Sequence, residues 1–99
     1  MVYKFKNTIT TVAGSASGNT VPLHGICQYI YLEPTTSTTV YNVTITDDDN
    51  DTVKNYDLRF FKGVMRDFTP FIVQGIYTIA ISSATANEPF TVKMLVREL

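Results

Sequence analysis

The sequence predicts an all-β fold, an antiparallel β-sandwich of about seven or eight strands, Ig-like or jelly-roll-like in kind. Three observations support this prediction. Apolar and polar residues alternate with a period of two, fifteen threonines accompany many Val, Ile, Tyr and Phe residues, and short turn-rich segments separate the alternating ones. Branched and aromatic side chains favour a pleated surface over a helix. We expect residues 1–99 to form a single sandwich domain.

The clearest strands lie near the start, in the middle and near the end of the chain. Residues 3–9 alternate apolar with polar side chains, residues 26–32 form a second apolar strand, and residues 41–46 alternate again. In the last strand four apolar residues share one face: Phe90, Val92, Met94 and Val96. Two Gly-Ile pairs fifty residues apart begin strands, which we expect to pair with residues 40–46 and 90–96 respectively.

The segments between these strands are rich in Gly, Ser, Thr, Asp, Asn and Pro, which are typical of turns. Residues 14–19 are predicted to form a flexible loop, and residues 47–51 the tip of a hairpin. Residues 33–38 and 82–89 are further predicted loops, and residues 66–70 hold at most one short turn, which Pro70 ends.

The charge and hydropathy of the chain restrict its partners. The net charge is −1, and the eight Lys and Arg residues scatter along the sequence, so we expect no nucleic-acid partner. No apolar run approaches the ~20 residues of a membrane span, so we expect no membrane partner. The first residues carry no apolar leader segment, which favours synthesis in the cytoplasm.

The residues that commonly carry chemistry do not form a catalytic set. Cys27 is the single cysteine and His24 the single histidine, and in an extended strand their side chains point to opposite faces. We expect a buried, inert thiol and a structural histidine, no cofactor and no enzyme activity.

An acidic cluster at residues 47–51 contains four aspartates. The calcium-loop pattern requires a Gly at its sixth position and a Glu at its twelfth, and these positions hold Thr52 and Leu58. We therefore predict no metal ligands and interpret the cluster as a solvated hairpin tip, with a weak cation site as the alternative.

The strand at residues 26–32 is apolar on both faces, with Ile26, Ile30 and Leu32 on one side and Cys27, Tyr29 and Tyr31 on the other. Because the outer face of a two-layer sandwich normally meets water, we favour a protein contact through Tyr29 and Tyr31. The alternative is that the N-terminal segment or the loop at residues 35–39 covers these rings.

A second aromatic group lies in the least regular part of the chain. It contains Phe60, Phe61, Phe68 and Phe71, and of these we take Phe68 and Phe71 as interface candidates. These phenylalanines either plug one end of the sandwich or lie in a contact between subunits, and stacking of a sugar is a third interpretation.

The chain as a whole resembles a known class of proteins. The pattern runs through the Gly-Ile strand at residues 25–32, the alternating segment 41–47, the second Gly-Ile strand at 73–79 and residues 90–93. It is similar to small Thr-rich β-sandwich structural proteins of tailed bacteriophage virions, especially capsid decoration (cement) proteins.

The resemblance implies a virion protein on the capsid surface that binds the major capsid protein or other virion proteins and stabilises the head. It also implies a homo-oligomer, with a trimer favoured. Two alternatives remain: a tail, neck or head-fibre component, and an Ig-like or carbohydrate-binding module.

Overall fold

The computed structural model describes residues 1–57 and 62–98, and these residues form nine β-strands. No helix in those two ranges is long and apolar enough to cross a membrane. In chain order the strands are β1 Val2–Thr10, β2 Ala16–Asn19, β3 Leu23–Pro34, β4 Asn42–Thr46, β5 Thr52–Tyr56, β6 Met65–Asp67, β7 Phe71–Gly75, β8 Thr78–Ser82 and β9 Pro89–Arg97.

The strands form two antiparallel sheets that pack face to face. The larger sheet has the order β1-β9-β3, and the long β3 pairs along its far edge with β7 near its start and with β6 near its end. The smaller sheet has the order β2-β8-β4-β5. The predicted all-β antiparallel sandwich is therefore confirmed.

Two short strands lie where the sequence predicts irregular structure. β2 falls within residues 14–19, where we expect a flexible loop, but it pairs with β8 along its whole length. β6 overlaps the start of the predicted turn at residues 66–70 and pairs with β3 at Tyr31 and its two neighbours. Both strands form because strands distant in the sequence supply their hydrogen-bond partners, so the composition of β2 and β6 does not predict them.

The predicted hairpin pairings are wrong. β3 lies in the larger sheet, whereas residues 42–46 form β4 in the smaller sheet between β8 and β5. The strand expected after Gly75 is β8, and it pairs with β2 and β4 instead of β9. Both connections cross from one sheet to the other, which short-range sequence pattern does not reveal.

The core lies between the sheets and is built from the inward side of each alternating strand. In β9, all four residues predicted to share a face are fully buried. In the smaller sheet Val43 and Ile45 of β4 pack with Ile79 and Ile81 of β8. Tyr41 is also buried, and its hydroxyl donates a 2.5 Å hydrogen bond to the Gly63 carbonyl. The period-two patterns therefore predict the core correctly.

β3 departs from its predicted faces because it contains a β-bulge. Cys27 pairs with Val96 and Tyr29 with Leu95, so Gln28 is an extra residue without a partner in β9. The bulge reverses the side to which later residues point. Cys27 consequently faces the core together with Ile30 and Leu32, and Ile26 lies on the outer side with the tyrosines. The predicted grouping of Cys27 with Tyr29 and Tyr31 is wrong for this reason.

Gly25 allows the end of β9 to approach β3 closely. Its φ is +139°, and a Cβ built there would lie 2.1 Å from the carbonyl oxygen of Arg97. Only glycine accommodates both this backbone conformation and this contact.

A polar cluster joins the two sheets beside the β5 edge. The Tyr56 hydroxyl of β5 donates a 2.5 Å hydrogen bond to the Asp67 carboxylate of β6, and Lys54 Nζ lies 3.5 Å from the same carboxylate. Burial by itself would raise the pKa of Asp67, but the hydrogen bonds from Tyr56 and Thr69 and the charge of Lys54 together hold it below its usual value.

The loop before β4 is held by Glu88, the residue that precedes β9. The Glu88 carboxylate accepts hydrogen bonds from the Thr36 amide and the Thr39 hydroxyl, both at 2.5 Å. The Glu88 amide donates to the Thr11 hydroxyl at 3.0 Å. This side chain fixes the loop at residues 35–39 against the start of β9.

Candidate functional site

The candidate site is the outer face of the larger sheet. Residues paired across antiparallel strands point to the same side of a sheet, so the strand register places the outward side chains in rows. One row contains Lys6, Lys93, Tyr31 and Arg66, contributed by β1, β9, β3 and β6 in that order. The next row contains Lys4, Leu95 and Tyr29, and the third contains Val2, Arg97, Ile26 and Ile72.

Three aromatic side chains form a cluster on this face, which we call the aromatic cluster: Tyr29, Tyr31 and Phe68. The two tyrosine rings stack with centroids 4.4 Å apart, and Phe68 packs edge-on against both, at 6.2 Å from Tyr29 and 5.7 Å from Tyr31. Phe68 directly follows β6 and is 61% exposed. Three of the four predicted interface residues therefore lie together on the surface.

Neither of the two segments proposed as an alternative cover for Tyr29 and Tyr31 lies over these rings. The N-terminal segment is β1, which lies in the same sheet beyond β9. The loop at residues 35–39 is bound to Glu88. The ring contacts of Tyr31 come from Tyr29, from Phe68 and from the Arg66 guanidinium, 5.3 Å from its centroid. Both tyrosines remain partly exposed.

Phe71, the fourth predicted interface residue, lies apart from this cluster. Its position in β7 pairs with Cys27, which points inward, and its ring is half-buried against the core. Lys54 Nζ lies 5.0 Å from its centroid. Phe60 and Phe61 lie outside the described residues.

Exposed aliphatic residues extend the apolar surface beyond the aromatic cluster. Ile72 in β7 is 73% exposed and pairs with the half-buried Ile26. Large apolar side chains this exposed and this close to an aromatic cluster are typical of contact surfaces. Ile72 is not among the predicted interface residues, although its alternation with the buried Val73 could have identified it.

Positive charge concentrates on the same face. Five of the eight Lys and Arg residues occupy its rows, and among its strand residues only Glu33 is acidic. The rows on the outside of the smaller sheet contain no Lys or Arg, as in the row Ser17, Ala80, Thr44 and Asn55. The fold therefore places five residues that are scattered along the sequence on one sheet face: Lys4, Lys6, Arg66, Lys93 and Arg97.

The acidic cluster lies at the tip of the β4–β5 hairpin, as predicted. Asp47 organises the turn, because its Oδ1 atom accepts hydrogen bonds from the amides of Asp49 at 3.0 Å and Asp51 at 2.9 Å. Carboxylate oxygens of Asp47, Asp48 and Asp49 come within 4.8 Å of one another. The turn interpretation explains the role of Asp47.

Cys27 and His24 point in opposite directions, as expected. Cys27 is fully buried, and burial raises the pKa of its thiol to about 11. Its Sγ atom lies 3.3 Å from the Tyr29 carbonyl oxygen, to which it donates. His24 is exposed at the start of β3.

Comparison with known proteins establishes the fold of the chain. No family model matches the sequence, and no curated protein matches it. A chain of the acidic stable capsid of Helicobacter pylori bacteriophage KHP30 superposes with a TM-score of 0.59 at 13% identity, covering 95% of this chain and 85% of its own. For the Yersinia pseudotuberculosis-derived mitogen the TM-score is 0.53 at 11% identity, covering 100% and 88%.

A third solved structure, the lectin-binding domain of lectinolysin complexed with Lewis b, gives a TM-score of 0.51 at 12% identity, covering 93% of this chain and 72% of its own. At these identities the likeness concerns the fold. The resemblance to phage virion β-sandwich proteins is confirmed at that level, and the chain has a β-sandwich fold shared with a phage capsid structure and with binding domains.

Proposed function

We propose that this chain is a capsid decoration protein of a phage, which binds the outer surface of the assembled head through the aromatic cluster. The observation that carries the proposal is the exposed packing of Tyr29, Tyr31 and Phe68 on one sheet face. Tyrosine is favoured at protein interfaces because its rigid ring buries apolar area while its hydroxyl still forms hydrogen bonds. The shared fold with a phage capsid structure supports the same assignment.

In this proposal the protein acts by binding, without catalysis. It is made in the host cytoplasm and takes its place on the virion, where its partner is the major capsid protein. A homo-oligomer, with a trimer favoured, would contact several capsid subunits at once. Each further contact would then be intramolecular, so that modest interfaces add up to strong stabilisation of the head.

The test is cosedimentation of the purified protein with phage heads that lack it. We expect the double variant Tyr29→Ser, Tyr31→Ser to bind at least tenfold more weakly, since central aromatic contacts contribute about 2 kcal/mol or more each. Its thermal stability should fall only modestly, because the rings are partly exposed and their stacking contributes about 0.5–1.5 kcal/mol.

The matched control is the double variant Val53→Ser, Ile76→Ser, which removes exposed apolar side chains that lie outside the aromatic cluster. It should bind heads like the wild type. Unchanged binding by the tyrosine variant, or no binding by the wild type, would refute the proposal. A wild type that binds phage tails or necks instead would assign the protein to another virion structure.

Carbohydrate binding is the second candidate, and one observation favours it. Phe68 presents an exposed ring next to two tyrosines, as sugar-stacking sites do. Against it, the ring of Tyr31 is already contacted by Tyr29, Phe68 and Arg66. Specific binding on a glycan array that Phe68→Ala abolishes would support this module and count against a purely architectural role.

A further inference from the structure

Three lysines form a compact stripe on the outer face of the larger sheet, beside the aromatic cluster. Lys6 and Lys93 pair directly across β1 and β9, and Lys4 lies two residues from Lys6 on the same face. Like charges directly opposite one another destabilise a sheet. Lys93 is partly compensated by Glu33, whose Oε2 atom lies 3.4 Å from its Nζ atom. Lys4 and Lys6 are exposed and form no salt bridge with any described residue.

An opposite concentration of charge occurs on the same chain. The hairpin tip presents Asp48, Asp49 and Asp51 as exposed carboxylates on a turn that Asp47 holds in shape. Within the described residues no salt bridge reaches this tip. The Asp48 carboxylate lies next to Gly75 at the end of β7, and the tip belongs to the smaller sheet, whereas the lysine stripe lies on the outside of the larger one.

We propose that the lysine stripe is the docking surface for the acidic hairpin tip of a second copy of this chain. Each patch is self-repulsive alone, and each is the electrostatic complement of the other, so a contact between copies relieves both. The hairpin suits this role because its turn is fixed by hydrogen bonds and three of its aspartates are exposed.

The two patches are different surfaces, so the contact is heterologous and joins copies head to tail. A heterologous contact closes into a ring when its rotation permits and otherwise continues as a filament. The stripe occupies the β1–β9 side of the sheet, and the aromatic cluster occupies the β3–β6 side. A ring built in this way leaves aromatic residues for a further partner. The inference deepens the proposed function, because it supplies the contact between copies of its homo-oligomer, and it is tested without binding to a head.

Nucleic acid is the other polyanion that a basic, aromatic face could recognise. Single-stranded binding of this kind uses free aromatic rings as stacking platforms. Here Tyr31 is flanked by Tyr29 and by the Arg66 guanidinium, and Phe68 meets both tyrosines edge-on. The rings of the two tyrosines are therefore engaged with their neighbours, and carboxylates are the better match for the stripe.

The experiment measures the mass of the protein by light scattering and its association constant by sedimentation equilibrium, without heads. We expect the wild type to associate at low salt and to dissociate as salt rises from about 0.01 M to about 1 M, where the Debye length falls from ~30 Å to ~3 Å. The variant Lys4→Gln, Lys6→Gln should associate at least tenfold more weakly. Its control, Ser17→Glu, Asn19→Glu, makes the same change in net charge on the smaller sheet and should associate like the wild type.

Two charge-reversal variants provide the decisive test of the contact between the stripe and the tip. Neither Lys4→Glu, Lys6→Glu nor Asp48→Lys, Asp49→Lys should associate alone, because each variant then opposes like charges. An equimolar mixture of the two should associate again, because the tip of the first variant meets the stripe of the second. A wild type that stays monomeric at low salt, or a mixture that fails to associate, would overturn the proposal. Binding of a labelled oligothymidylate that Lys4→Gln, Lys6→Gln abolishes, without self-association, would assign the stripe to nucleic acid and overturn it as well.

Discussion

Replacing Gly25 with alanine should destabilise the sandwich more than its small size suggests. The added Cβ would lie 2.1 Å from the Arg97 carbonyl oxygen, more than 1 Å short of ordinary van der Waals contact at 3.4 Å, and the obstructing atoms are backbone. The φ of +139° adds strain for any residue with a side chain. A strained backbone conformation costs about 1–3 kcal/mol. Overpacking of a fixed contact costs about 1–3 kcal/mol more.

The two costs together give a loss of roughly 2–6 kcal/mol in the free energy of unfolding. For a domain of this size each kcal/mol lowers Tm by ~4–8 °C, so Tm should fall by at least about 8 °C. Thermal and urea unfolding followed by circular dichroism would measure both quantities. At the upper end the loss approaches the ~5–15 kcal/mol that stabilises a typical domain, and the variant would be largely unfolded.

Gly18→Ala is the matched control for this prediction. Gly18 lies in the middle of β2 without a positive φ, and its added Cβ would meet the end of the flexible Ile9 side chain at 3.1 Å. We expect that variant to lose no more than about 1 kcal/mol, since the side chain can yield. A Gly25→Ala protein whose Tm lies within about 2 °C of the wild type would refute the close approach of β9 to β3.

Two further predictions concern ionisable groups in the interior. Because the folded pKa of Asp67 is lowered, its carboxylate stabilises the fold above its unfolded pKa, and this contribution is lost as pH falls through the folded pKa. Asp67→Asn should therefore cost about 1–3 kcal/mol at pH 7 and nothing in strong acid, as measured by urea unfolding across this pH range. A constant difference at all pH values would contradict this. Cys27 should resist a thiol reagent at pH 8 until the chain unfolds. It is fully buried, and its pKa of about 11 leaves about one thiol in a thousand ionised at that pH. Rapid labelling of the native protein would contradict the burial of this thiol.

The sequence predicts the individual strands better than their arrangement. β9 is recognised because its alternation is uninterrupted and buried on one side only. The bulge at Gln28 is not recognised, because nothing about a glutamine marks it as the extra residue, and one missed residue reverses all later side chains of β3. Sheet membership is equally hidden, since β4 meets β8 across more than thirty intervening residues.

The residues of the candidate site are predicted only in part, because their arrangement also depends on strand pairing that the sequence does not show. Tyr29 and Tyr31 are predicted because their strand is apolar on both faces, and Phe68 is predicted as an aromatic residue of the least regular segment. That these three rings meet depends on β6 pairing with β3, and the lysine stripe depends on β1 pairing with β9. Phe71 was grouped with Phe68 by proximity in sequence, although the two side chains lie on different sides of the sheet.

The position of β9 has a consequence for the synthesis of the protein. It follows β1 and β3 in the chain and so leaves the ribosome after them, yet it lies between them in the finished sheet. Until it emerges, β1 and β3 have no common partner, and their backbone groups and apolar sides remain open to other nascent chains. The larger sheet therefore closes only once β9 has emerged, in a step that adds the middle of the layer. Protection of β1 and β3 by a chaperone until then should raise the yield of folded protein.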